Sequence, residues 1–450
     1  MTTKEEKKNK FKNSISLKLI IVCCLSLVLL LPSLKIRQLI REREDRKEET
    51  IKEITQKWGT EQTISGPILI IPYVKRVHTS KNEYTDHIHY FHVLPSELSI
   101  DGTLQPSERY RGIYKVITYN TQLNMKGQFT PEDFINWPNQ YTRILWEEAR
   151  VVVGISDLKG ITQNINLIWN SGSNKFSPGK FYASMFDSGI NSEVVINKDS
   201  INTFSVDLAL NGSEAIYFTP TAGSTEVTLT GNWHTPSFDG SFLPQAPQVN
   251  DTSFSAQWNV IEMNRNYPQI WSSKSYDQWY DYQSFGVKLL LPVDTYQKSE
   301  RSVKYALLFI ALTFLIVFFS EITGKNRVHP IQYLIIGISL IIFYSLLISL
   351  AEHIGFNAAY WVSSLVIIGL ITYYIKSLLK NWKPTMAVTS TLVILYTFLF
   401  TLLQISDYAL LLGNIGLVII LAVVMIFSRK VNWYAQRTIT NDETDTTTDN

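Results

Sequence analysis

The chain has 450 residues and a formal net charge of +2, from 41 Lys and Arg against 39 Asp and Glu. That balance gives no global field for nucleic acid, and the only two cysteines, Cys23 and Cys24, are adjacent in an apolar block, which excludes a disulfide framework for the polar part. Apolar residues concentrate in one short N-terminal block and in the last third, while the middle is polar, aromatic and rich in Thr, Ser and Asn. A membrane part and a water-facing part are therefore expected.

In chain order, residues 1–16 form a basic start, predicted to be cytoplasmic. Residues 17–35 supply the first apolar span, with Lys18 placed to snorkel. No small-x-small cleavage site follows, so the block reads as an uncleaved anchor rather than a secretory signal. Ile20, Ile21 and Val22 precede the cysteines, too bulky for a lipid-attachment pattern, and leave them as small side chains in lipid. Residues 36–58 place Ile36, Leu39, Ile40, Ile51, Ile54 and Trp58 on one helical stripe, which predicts a stalk.

From Gly66-Pro67 the texture changes to short β runs, and residues 59–302 are predicted to form a β-rich extracytoplasmic domain. "ILIIPYV" is β-branched and bounded by Gly and Pro. "FSVDLAL" puts Phe204, Val206, Leu208 and Leu210 on one face; "STEVTLTGNW" does the same with Val227, Leu229 and Trp233, leaving Glu226, Thr228 and Thr230 opposite. That alternation suits an antiparallel sheet with one wet face. Either a sandwich or two small β units fits. "EDFINWP" and "RILWEEA" suggest short helical insertions.

Residues 303–428 hold five further candidate spans, near 303–320, 331–350, 357–375, 386–404 and 408–427, making six in all. Lys325 and Arg327, then Lys376, Lys380 and Lys383, then Arg429, Lys430 and Arg437 occupy alternate connections, and the intervening connections have no Lys or Arg. The positive-inside rule then places both termini in the cytoplasm and residues 36–302 outside; residues 429–450 are a cytoplasmic tail with an acidic end. Glu352 and His353 fall in one external turn, Asp407 and Tyr408 in the other. Charges cost little at the membrane edge, against about 2.5–3.5 kcal/mol at the midplane. Asn357 and Asp407 suit N-caps. Alternatively, Glu352, His353, Asp407 and Tyr408 form an interaction cluster. Tyr296, Arg301 and Lys304 suit an interfacial anchor.

No hydrolase elbow, zinc-protease helix, P-loop, dinucleotide fingerprint or C-x-x-C motif occurs. In "HIHYFH", His87 and His89 share a strand face and His92 takes the other, a poor metal set without help from elsewhere. No catalytic, cofactor or metal residue is assigned. The partners expected are the bilayer and envelope proteins, peptidoglycan or lipid components, with no nucleic acid.

The blocks "SGPILIIPYV", "HYFHVLPSELSIDG", "ERYRGIYKVITYNTQL", "ILWEEARVVVGISDLKGI", "PSFDGSFLP" and "SFGVKLLLPVDTYQKSERSVKYALLFIALTF", with "HPIQYLIIGISLIIFYSLLISLAEHIGFNAAY" and "DYALLLGNIGLVIILAVVMIFSRKVNWY", resemble the CreD family of bacterial inner-membrane, cell envelope integrity proteins. The resemblance covers about residues 17–435, apart from roughly 162–200. It implies a large periplasmic domain, a role in envelope stress through a two-component system, and no catalytic residues. A transporter or transport accessory, or a membrane-embedded enzyme acting on envelope precursors, remains the alternative.

Overall fold

A computed structural model describes residues 15–79, 83–135, 143–181, 187–272, 283–290, 295–323, 328–405 and 408–429. Two compact units result, one from residues 1–46 and 293–450, the other from residues 47–292. In chain order the described α-helices are α1 (Ile15–Val28), α2 (Leu30–Trp58), α3 (Glu132–Ile135), α4 (Thr295–Lys304), α5 (Ala306–Thr323), α6 (Pro330–Ile354), α7 (Phe356–Leu379), α8 (Trp382–Gln404) and α9 (Ala409–Arg429).

The helical unit uses α1, the first part of α2 and α4 to α9. α1 and α2 meet at Leu29, whose amide still bonds Leu25 O at 3.0 Å. A side chain at Gly337 of α6 would overlap Leu29 and the Phe314 ring, so this glycine is what lets the α1–α2 junction press against α6. Pro330 opens α6 at a position that needs no amide donor, with His329 as its N-cap. Gly355, at φ +78°, joins α6 to α7 in a backbone conformation that disfavours side chains.

Four described helices are long and apolar enough to cross a bilayer: the run Lys18–Trp58, α6, α7 and α8. α4 and α5 make a fifth if this pair, bent by 44°, counts as one span. The apolar run Leu411–Ile426 in α9 is shorter. Helix length thus supports four or five spans where the sequence suggests six. The expected span at 303–320 straddles the α4–α5 bend, since polar α4 ends at Lys304.

The β unit contains β1 (Gln62–Thr79), β2 (Glu83–Val93), β3 (Glu97–Arg111), β4 (Tyr114–Phe129), β5 (Arg143–Ile144), β6 (Arg150–Ile155), β7 (Asn166–Trp169), β8 (Gly172–Lys175), β9 (Ser177–Pro178), β10 (Gly189–Glu193), β11 (Asn202–Ser213), β12 (Ala215–Thr219), β13 (Ser224–Gly231), β14 (Pro236–Gly240), β15 (Gln248–Val249), β16 (Phe254–Ile261), β17 (Ile270–Trp271) and β18 (Phe285–Leu289). A ten-stranded sheet runs β14-β18-β12-β1-β6-β10-β9, with β2, β5 and β17 off that path; an eight-stranded sheet runs β15-β16-β13-β3-β4-β11-β7-β8.

One core takes Leu69 and Ile71 from the first sheet and Ile100, Leu123, Leu208 and Leu229 from the second, so the two sheets pack as a sandwich. β1 is buried on both faces, because Ile68 and Ile70 enter a second cluster with Leu94, Val152, Tyr267 and Trp271. That explains the unbroken apolar run "ILIIPYV". The sheets are mixed rather than purely antiparallel: β1 pairs β12 and β3 pairs β13 in parallel. Alternation along a strand records burial and carries no information about partner direction. Of the expected helical insertions, α3 is described over four residues. In "RILWEEA", β5 pairs β1 and only Trp146–Glu148 turns as a 3-10 helix.

Candidate functional site

Glu352 lies in the last turn of α6 with its side chain 10 % exposed. Tyr296 Oη donates to Glu352 Oε1 at 3.0 Å, and Arg43 Nη1 lies 3.8 Å from Oε2. Helices α2, α4 and α6 therefore converge on one carboxylate. The arginine contact is an ion pair beyond hydrogen-bond range, while the phenol supplies the directed bond.

The short helix α4 extends the network. Lys298 Nζ donates to Gln404 Oε1 of α8 at 2.6 Å, and Gln404 Nε2 donates to Asn357 Oδ1 of α7. Glu300 accepts from Arg37 Nε at 2.8 Å and Arg41 Nη2 at 3.4 Å. Tyr296 and Glu300, four apart, share a helix face, and Lys298 points away from it. One ten-residue helix thus ties α2 and α6 on one side and α8 on the other.

Of the four turn residues suggested by the sequence, Glu352 enters this network. His353 and Tyr408 are exposed, and Asp407 lies outside the described residues. The structure groups Glu352 instead with Tyr296 and Arg43, both remote in sequence. Two expectations change. Tyr296 is 5 % exposed and bonds protein rather than lining the interface. Asn357 is no cap, because Gly355 takes the N-cap of α7 without a side-chain bond and Asn357 serves Gln404.

A second joint of the same kind was not anticipated. Glu321 in α5 pairs with Lys18 of α1 and accepts from Tyr333 Oη of α6 at 3.0 Å. Lys18 is paired with protein rather than snorkelling alone. The available signal was a Lys inside the first span and a Glu at the end of another, since charges near lipid seek each other. Along α7 and α8, Tyr360 Oη donates to Tyr396 O at 2.8 Å, and the Thr372 and Thr389 hydroxyls lie 2.8 Å apart. Together with Asn357–Gln404 these make a polar seam along an apolar helix pair. Beside it the buried Tyr344, Ser363 and Tyr396 hydroxyls have no partner among the described residues.

In the β unit, the end of α2 is fastened to β3: the Arg109 guanidinium lies 3.6 Å above the Trp58 ring, and Arg111 pairs with Glu53 at 2.8 Å. The wet face of the eight-stranded sheet carries a recess of about 500 Å³. Thr228, Asp101, Asn124 and Asp207 form one transverse row across β13, β3, β4 and β11. Small Ala209 deepens the recess, and Thr162 binds its carbonyl so that Gln163 forms a wall. Such a row can accept hydrogen bonds from hydroxyls, amines or a cation. Among the described residues no group of three or more His, Cys, Asp or Glu is placed to hold a metal. The "HIHYFH" histidines part company: His92 stacks on Trp271 at 5.2 Å and His89 on Tyr73 at 5.5 Å, while His87 is exposed.

Residues 14–434 match the family described as "Inner membrane protein CreD". A curated relative, inner membrane protein CreD of Escherichia coli (strain K12), is 32% identical over 418 residues, covering 91% of each chain. Among solved structures, an M1 zinc metallopeptidase from Deinococcus radiodurans aligns at TM-score 0.21 and 8% identity, over 44% of this chain and 42% of that one. An overlap that low carries no argument about fold or activity.

Proposed function

The chain belongs to the CreD family of inner membrane proteins, and on that premise we propose that it is a non-enzymatic envelope protein that reports on envelope integrity through its large β-rich domain. The reading places both termini in the cytoplasm and the β-rich domain outside, in the periplasm if the host has two membranes. The observation that carries it is α2. Within the helical unit this helix supplies Arg37, Arg41 and Arg43 to Glu300 and Glu352; within the β unit it supplies Glu53 and Trp58 to Arg111 and Arg109. Each unit thus holds its own part of α2 through charged and aromatic contacts, which supports a β-rich domain whose state is read by the membrane part, with the stress response through a two-component system as its output.

Two experiments test this. Cysteine at Asn211 should react with an impermeant thiol reagent in intact cells, and cysteine at Lys380 should not; the reverse overturns the orientation. Cells lacking the protein should be more sensitive to detergents and wall-directed antibiotics, and Glu352→Gln at equal abundance should restore resistance only in part. Unchanged sensitivity on deletion would sink the envelope role.

The polar seam favours one second reading, a transport accessory, because hydrogen-bonding groups inside a bundle are where permeant polar solutes are held. Solute flux into liposomes that Tyr360→Phe with Thr372→Val abolishes would replace the first reading.

A further inference from the structure

In the β unit, the segment Glu262–Gln269 is tied to the segment Pro220–Gly223 at two points. Glu262 N donates to Gly223 O at 2.7 Å, and Tyr267 Oη donates to Pro220 O. Arg265 lies in the chain between the two tied residues of the first segment, and Thr221 between those of the second. Arg265 is 7 % exposed and Thr221 is fully buried. The Arg265 Nη2 group donates to Gln269 Oε1 at 2.6 Å, but among the described residues Nε and Nη1 are buried with no partner, and so is Thr221 Oγ1. The Tyr267 ring lies 5.1 Å from the guanidinium carbon.

An arginine stays protonated at any physiological pH. A buried charge without a counter-charge is among the costliest arrangements in a folded protein. Among the described residues no carboxylate pairs with Arg265. The group is nevertheless held in place rather than left loose. Gln269 Nε2 donates to both Leu94 O and Pro95 O at 2.8 Å, which fixes its Oε1 toward the guanidinium. The fixed cation thus presents two buried N–H groups that no described residue accepts, in the fork geometry that suits an oxyanion.

We propose that Arg265 binds a small oxyanion of the phosphate or carboxylate class. The inference is independent of the envelope reading, since it concerns binding and not cellular role. It predicts that inorganic phosphate or acetate raises the melting temperature of the full-length protein in detergent, saturably and by several degrees, over chloride at matched ionic strength. Phosphate alone acting identifies a phosphoryl ligand; acetate acting as well identifies carboxylate. Arg265→Met keeps the apolar stem and removes the charge. It should abolish the anion response and, in chloride, melt at or above the wild-type temperature, because an unpaired buried charge is gone. No anion response in the wild type overturns the proposal. So does an Arg265→Met protein that melts far below wild type in every buffer, since that shows a counter-charge supplied by the chain itself. Should Arg265→Met not fold, broadening of the inorganic phosphate resonance by the wild type, reversed by excess acetate or sulfate, still decides the matter; an unbroadened resonance with no thermal response counts against it.

Discussion

Two polar joints of the helical unit each combine a basic side chain, a glutamate and a tyrosine, and differ in how they are sealed. At one, Lys18, Glu321 and Tyr333 join α1, α5 and α6; at the other, Arg43, Glu352 and Tyr296 join α2, α6 and α4. The carboxylates are alike, at 9 % and 10 % exposure, but Lys18 is 27 % exposed and in direct contact, whereas Arg43 is 41 % exposed and 3.8 Å away. Residues 333 and 352 lie about 28 Å apart along α6 at 1.5 Å per residue, so one helix carries both. The Glu321 joint is a closed pair that fixes the bundle. The Glu352 joint is looser on its arginine side.

Lys18→Met sets the comparison most sharply. Removing one partner of a fully buried pair costs about 3–5 kcal/mol; with Lys18 partly open, a loss of about 2–3 kcal/mol is expected in an unfolding titration of purified protein. Replacing Glu321 by Gln in the same chain should recover most of it, because no charge is then left stranded. An equally large loss for Arg43→Met would erase the difference between the joints.

The tyrosines come next. A hydrogen bond to a charged group contributes about 1.5–3 kcal/mol. Tyr333→Phe is expected near the middle of that range, as Tyr333 is fully buried, and Tyr296→Phe near its lower end. The reverse order, measured by the same titration, would make the Glu352 joint the tighter one.

Arg43→Met should cost under about 1 kcal/mol and lose its effect in high salt, as exposed ion pairs do. A salt-independent loss would show that the arginine is desolvated.

The smallest effect concerns the turns. Arg43→Met and Tyr296→Phe share Glu352 and should couple by about 0.5–1 kcal/mol, whereas Glu352→Gln and Tyr408→Phe should add within about 0.3–0.5 kcal/mol. Coupling of the second pair in a double-mutant cycle would restore the turn cluster suggested by the sequence.

What the sequence alone determined is what depends on local pattern. Apolar run length marked four of the six expected spans as helices long enough to cross, because hydrocarbon thickness sets a length that any sequence must meet. Period-two burial marked Phe204 to Leu210 and Val227 with Leu229, because a pleated strand turns alternate side chains to one face. Glu352 stood out because a charge beside lipid is rare. Only the tertiary structure decided which groups meet. Tyr296 looks like an interfacial anchor until α4 bends against α6, and Asn357 like a cap until α8 returns alongside it. The parallel pairing of β3 with β13 likewise depends on segments far apart in the chain. Periodicity reports which face of an element is buried; partner identity is set by how whole elements pack, and no local spacing encodes it.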